Sequence, residues 1–127
     1  MAMRRGHAVA ALAMLVALAA VAAERTAVTA RICTAVKDRA PVGEGDTFPP
    51  TVGELFCFSE VVNGPAAVVH AGFHDGKEVR AIELPVKGPR WRTWSTKTIP
   101  KGMTGEWRVD VRDTAGTVLA TVKCTVR

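Results

Sequence analysis

Serine is almost missing from this chain: Ser59 and Ser95 are the only two. Neither lies in a nucleophile-elbow sequence, and the spacing of the histidines and acids reveals no base and orienting acid to complete a triad. Cysteine is scarce as well, at Cys33, Cys57 and Cys124. No two of them have the spacing of a redox C-x-x-C pair or a zinc knuckle, which makes them structural candidates rather than catalytic ones. No segment carries sustained helical periodicity with caps, and this excludes a helical bundle.

Acids are absent from the first 23 residues, and that stretch has a plan of its own. Arg4 and Arg5 give a positive start, Ala8 to Val21 is apolar, and Ala20, Ala22 and Ala23 precede Glu24. This is the layout of a secretory signal peptide, with cleavage expected at Ala22 or Ala23. The apolar run falls short of the roughly 18–20 residues that span a bilayer, and it is built more from Ala than from Leu or Ile. An uncleaved N-terminal anchor is the alternative. No cysteine adjoins the cut, so a lipid anchor is not expected. The reading is export to the periplasm or medium, residues 1–23 being removed and residues 24–127 forming one domain with no transmembrane segment.

Removing that leader takes Arg4 and Arg5 from the formal charge of +5, leaving about +3. Such a mild excess does not argue for nucleic acid. It suits a protein that meets anionic envelope material, and equally an ordinary basic surface. The roughly one hundred residues that remain suffice for one modest core.

The dominant pattern along them is alternation with a period of two, the signature of strands. "AVTARICTAV" puts Val28, Ala30 and Ile32 on one face and Arg31 and Lys37 on the other. "EWRVDVRD" separates Trp107, Val109 and Val111 from Glu106, Arg108, Asp110 and Arg112. "TVLATVKCTV" gathers Val118, Ala120, Val122, Cys124 and Val126. Four further candidates are "LFCFSEVV", "AAVVHAGFH", "KEVRAIELPV" and "RWRTWSTKTI", with Asp75-Gly76 closing a tight hairpin. About seven short strands at this spacing predict an antiparallel β-sandwich of immunoglobulin-like type. One segment, Asp38 to Glu54, has three prolines and three glycines without alternation, and reads as a long loop.

Several phrases, "ICTAVKDRAPVGEGDTFPPTVGELFCFSEVV", "LPVKGPRWRTWSTKTI" and "GEWRVDVRDTAGTVL", make the chain resemble the bacterial domain of unknown function 2914 family. The likeness runs in order over nearly all of the mature chain. "VKGPRWRTWSTK" followed by "GEWRVDV" is its specific part. The resemblance implies a small β-rich domain of exported or membrane-attached proteins, with no assigned activity. Around "HAGFHDGK" the chain keeps His70 and Gly76-Lys77, but has Gly72 where the family tends to carry an aromatic and Asp75 where it carries an amide.

The densest candidate site is "GPRWRTWSTK", with two tryptophans and two arginines from Arg90 to Trp94. In a straight strand Trp91 shares a side with Thr93 and Ser95, while Trp94 shares one with Arg90, Arg92 and Thr96. Trp91 is therefore assigned to packing together with Trp107, Val109 and Val111, and Trp94 to an outer surface flanked by Arg90 and Arg92. An indole among guanidinium groups suits stacking on a sugar ring and pairing with a carboxylate or phosphate. The same arginines could instead simply cover the ring. His70 is expected to support that surface, or else to be hydrogen-bonded within the sheet.

His70 and His74 fall on one side of a strand near Asp75 and Glu78, but two imidazoles do not make a metal site, and no metal or cofactor is expected. Glu44 and Asp46 in the long loop could do acid–base work, though solvated loop acids account for them as well. A bridge between Cys57 and Cys124, or three reduced thiols, are both open. The sequence thus points to a non-catalytic exported module that recognises an envelope glycan or anionic component. The alternative is a module that pairs an exposed strand with another envelope protein.

Overall fold

A computed structural model describes residues 25–127. The leader expected over residues 1–23 lies outside the described residues. All regular structure among the described residues is strand. The elements are β1 (Ala27–Cys33), β2 (Ala35–Lys37), β3 (Ala40–Val42), β4 (Thr47–Phe48), β5 (Glu54–Val62), β6 (Ala67–His74), β7 (Lys77–Pro85), β8 (Arg90–Thr98), β9 (Gly105–Arg112) and β10 (Val118–Val126).

Ten strands replace the expected seven, and the surplus has one origin. β2, β3 and β4 are only two or three residues long, and β3 and β4 fall within the stretch from Asp38 to Glu54. The seven long strands form the sandwich. One sheet has the order β1-β5-β8 and the other β4-β10-β9-β6-β7. Counting long strands alone, the first, second and fifth face the seventh, sixth, third and fourth, which is the immunoglobulin-type partition with the fourth strand beside the third. Every pairing is antiparallel except β4 with β10, where a short parallel ladder holds Thr47 and Phe48 against Thr125 and Val126.

The segment expected as a loop is therefore built, in two parts. β2 and β3 form a hairpin whose turn residues, Asp38 and Arg39, both have positive φ, 52° and 59°, the conformation of a two-residue type I′ turn. The hairpin is anchored to the end of β1, where Thr34 N–H donates to the Val42 carbonyl at 3.1 Å. Cys33, on the face of β1 that carries Arg31, is fully buried. The Asp75-Gly76 hairpin forms as predicted, with φ of 47° and 84°.

The core lies between the sheets in two clusters. One gathers Ile32, Phe48, Leu55, Cys57, Ile99, Trp107, Cys124 and Val126. The other centres on Val61, Val68 and Val111. Between them, at the middle of β5 and β6, sit the only two buried polar residues among those described, Ser59 and His70. The alternation of β9 survives intact, with Trp107 and Val111 buried and Val109 packed against the first cluster. On β10 it slips, because the register shifts between Val118 and Ala120, and Val118 is left half exposed.

Candidate functional site

The outer face of the three-stranded sheet is set by the register of β5 and β8. Phe58 lies opposite Trp94, Glu60 opposite Arg92, and Val62 opposite Arg90. The Phe58 and Trp94 rings stack with centroids 6.1 Å apart and planes within 11°, an aromatic cross-strand pair of the kind that stabilises sheets. Phe58 is buried beneath this cover while Trp94 keeps 36% of its surface exposed.

Arg90 and Arg92 do not lie against the Trp94 ring as the sequence suggests. Both turn to Glu60, with Arg90 Nη1 at 2.9 Å from one carboxylate oxygen and Arg92 Nε at 3.3 Å from the other. The reason is the register: a carboxylate directly across the strand pair outcompetes a ring face for a guanidinium. The cation over an indole belongs instead to Arg39, 5.7 Å from the Trp91 centroid. Its carbonyl accepts a hydrogen bond from Arg92 Nη1 at 3.2 Å, so the β2–β3 hairpin is pinned across the sheet beside the tryptophans.

Trp91 is half buried and its side of β8 faces inward. Yet the two tryptophans meet one surface feature. A shallow depression of about 230 Å³ is lined by Trp91 and Trp94 together with Arg39, Lys87 and Arg92. A second hollow, of about 210 Å³, shares Arg39 and Arg92 and adds Arg31, Phe58 and Glu60. Arg31 reaches out of it to Glu44, 3.2 Å away. The two hollows together make a cationic, aromatic groove along the face of the sheet. Arg39 is the component that sequence reasoning missed, since nothing in "KDRAPV" shows that a hairpin folds back over β8.

His70 does not join this surface. It points between the sheets, 3% exposed, with Nε2 at 2.7 Å from Ser59 Oγ and Nδ1 at 2.7 Å from Ser95 Oγ. Both serines of the chain thus bind one imidazole. Burial pushes its pKa down to about 4, so the ring is neutral: one nitrogen donates to a hydroxyl and the other accepts from one. The cluster holds no carboxylate to orient and charge the imidazole, which a hydrolytic triad requires.

The remaining candidates have individual partners. His74 Nε2 donates to the Thr104 carbonyl at 2.7 Å and its ring lies 4.5 Å from that of Trp107. Asp75 Oδ1 accepts from Glu106 N–H at 2.8 Å, and Glu78 pairs with Arg112 at 3.1 Å. Among the described residues no group of three or more His, Cys, Asp or Glu is placed to hold a metal ion. Asp46 serves through its backbone, accepting from Thr125 N–H at 2.8 Å. Cys33, Cys57 and Cys124 are buried, free thiols.

No curated protein matches the chain. The family model described as a protein of unknown function (DUF2914) matches residues 65–126. That span runs from before β6 through β10 and contains Lys87, Trp91, Arg92, Trp94, His70 and Ser95. Arg39 and Glu60, which complete the groove, lie N-terminal to it. By this match residues 65–126 of the chain belong to the DUF2914 family, a family of unknown function.

Proposed function

We propose that this domain is a non-catalytic binding module of the bacterial cell envelope that recognises an anionic glycan on the outer face of the β1-β5-β8 sheet. The observation that carries the reading is the shared depression, where two indoles and the cations Arg39, Lys87 and Arg92 converge. Trp94, stacked on Phe58 from beneath, offers a ring edge and face to a sugar. Arg39 and Lys87, which make no ion pair among the described residues, offer charge to a carboxylate or phosphate. Glu60 fixes Arg90 and Arg92 in place and lowers the net charge of the face, favouring a ligand that brings both hydroxyls and acid groups. Export by the leader would bring the module to such material.

Tryptophan fluorescence titrated with acidic and neutral envelope polysaccharide fragments tests this. The acidic fragments are expected to change the emission and the neutral ones to bind more weakly. Trp94→Ala should abolish the response and leave the fold intact, and Arg39→Gln should weaken it and reduce its salt dependence. Flat titrations with every fragment would remove the proposal.

A second reading has its own observation. β7 is the outer strand of the five-stranded sheet, nine residues long and exposed over its first five. Its unpaired backbone edge can accept an added strand from a partner protein. Crosslinking from β7 positions in envelope fractions would capture that partner, and the Trp94 variant should not affect it.

A further inference from the structure

The interior has a gap that neither reading uses. Gly72 lies on the inward face of β6, opposite Arg80 on β7. A Cβ built on it would meet nothing nearer than the Arg80 carbonyl oxygen at 3.9 Å. Where a side chain would complete the core, there is a cavity of about 60 Å³. Its walls are apolar, with Ile32, Leu55, Ile82, Ile99, Val109 and Trp107 among them. By the same measure a water needs about 10–15 Å³, so the space suits a chain of roughly four to six heavy atoms.

The cavity lies between β7 and β8, which are the edge strands of their two sheets and are not paired with each other. Arg80 and Lys97 line it from these two edges. Arg80 Nη1 donates to the Thr96 carbonyl across the gap. Lys97 Nζ donates to the Thr98 carbonyl at 3.0 Å and lies 5.9 Å from the Trp107 centroid. Neither has a carboxylate partner among the described residues, and no acidic residue lines the cavity. The polar end inside is Ser95 with His70, which are hydrogen-bonded to each other, the second ring nitrogen of His70 being taken by Ser59.

We infer that this cavity is a second binding site, which takes the alkyl chain of a short-chain carboxylate and holds its carboxylate between Arg80 and Lys97. Three features select that ligand class. The apolar walls favour a hydrocarbon over water, since a dry cavity lined this way gains little from hydration. The volume limits the chain to a few carbons. The two lining cations, Arg80 and Lys97, have no carboxylate partner among the described residues and select an anionic head, Arg80 having the fork geometry that a carboxylate fits.

Calorimetric and fluorescence titration of the intact protein with butanoate, hexanoate and octanoate tests the site, with protonated hexylamine as control. Trp107 in the wall is the reporter. Affinity should rise about fourfold per methylene and level off once the chain outgrows the cavity, while hexylammonium should not bind. Gly72→Leu fills the space and should lose hexanoate at least tenfold with a melting temperature at or above that of wild type. Arg80→Gln should weaken hexanoate about tenfold. Trp94→Ala, on the other face of β8, should leave hexanoate unaffected, so failure here is distinguishable from failure of the glycan reading. If Gly72→Leu does not fold, the Arg80→Gln titration decides together with nuclear Overhauser contacts from hexanoate to the methyls of Leu55 and Ile82 in wild type. No hexanoate binding, equal binding by hexylammonium, or binding that survives both substitutions overturns the inference.

Discussion

The Ser59 hydroxyl stands 2.7 Å from Nε2 of His70 at the centre of the sandwich, where neither side chain meets solvent. This contact joins the two sheets through polar groups, and Ser95 completes it from the third strand of the smaller sheet. A hydrogen-bonded polar pair between two apolar clusters fixes how the sheets face each other, since any slip leaves buried hydroxyls unpaired.

The pair also makes the fold acid-sensitive. His70 has its pKa lowered from 6.5 to about 4 by burial. Between those values the unfolded chain binds a proton that the folded chain does not. Stability is therefore complete above pH 6.5 and declines as the pH falls toward 4. The whole loss is about 3 kcal/mol, each pKa unit corresponding to about 1.4 kcal/mol. Urea unfolding of wild type and His70→Gln at pH 7 and pH 4.5 isolates this contribution, because the carboxylates titrate in both proteins. The variant is expected to be less stable at pH 7 and to lose about 2 kcal/mol less on acidification. Equal losses in the two proteins would refute the assignment.

Glu60 governs the charge of the groove. It holds Arg90 and Arg92 at 2.9 and 3.3 Å, with all three side chains reaching solvent, so the pairs contribute little to stability, about 1 kcal/mol at most each. Glu60→Gln keeps a hydrogen-bond acceptor and removes the negative charge. The expected result is a change in stability under about 1 kcal/mol with several-fold tighter binding of an acidic fragment. Unchanged or weaker acidic-fragment binding would mean that the arginines do not face the ligand.

How far the residues alone disclosed this architecture differs from strand to strand. Long strands buried on one face write their partition into the period, which is why β9 could be assigned residue by residue. β2, β3 and β4 are too short to show a period, and the turn that joins β2 to β3 uses Asp38 and Arg39 at positive φ where glycine would have signalled it. That hairpin is what buries Cys33 and carries Arg39 to Trp91, so the groove was legible as Trp94 with its arginines but not as a whole. His70 was visible as an oddity in "VVHAGF". Its serine partners come from strands 11 and 25 residues away, a distance over which alternation carries no information.

Gly105 shows the same dependence on contacts distant in sequence. Its φ is +117°, and a Cβ there would fall 2.5 Å from Asp75 Oδ1, the atom that accepts from Glu106 N–H. Gly105→Ala therefore imposes both backbone strain and the loss of that bond. A destabilisation of about 2 kcal/mol or more is expected from guanidinium unfolding midpoints. A loss below about 0.5 kcal/mol would mean the turn relaxes freely.

The three thiols offer the sharpest test of burial. Burial raises Cys57 to about 12 and Cys124 to about 11, and raises Cys33 as well. The thiolate is the reactive form, so at pH 8 all three should be unreactive in the folded protein. Ellman's reagent is expected to register none of them natively and three per chain in guanidinium. Slow native labelling should follow the rate of unfolding rather than the concentration of reagent. Rapid native labelling of any one would contradict its burial, and Cys33 is the most informative, because only the β2–β3 hairpin distinguishes a covered Cys33 from one left beside Arg31 on an open face. Protonated and enclosed in this way, an odd number of cysteines can remain reduced even in an oxidising compartment, since thiol–disulfide exchange requires both a thiolate and access.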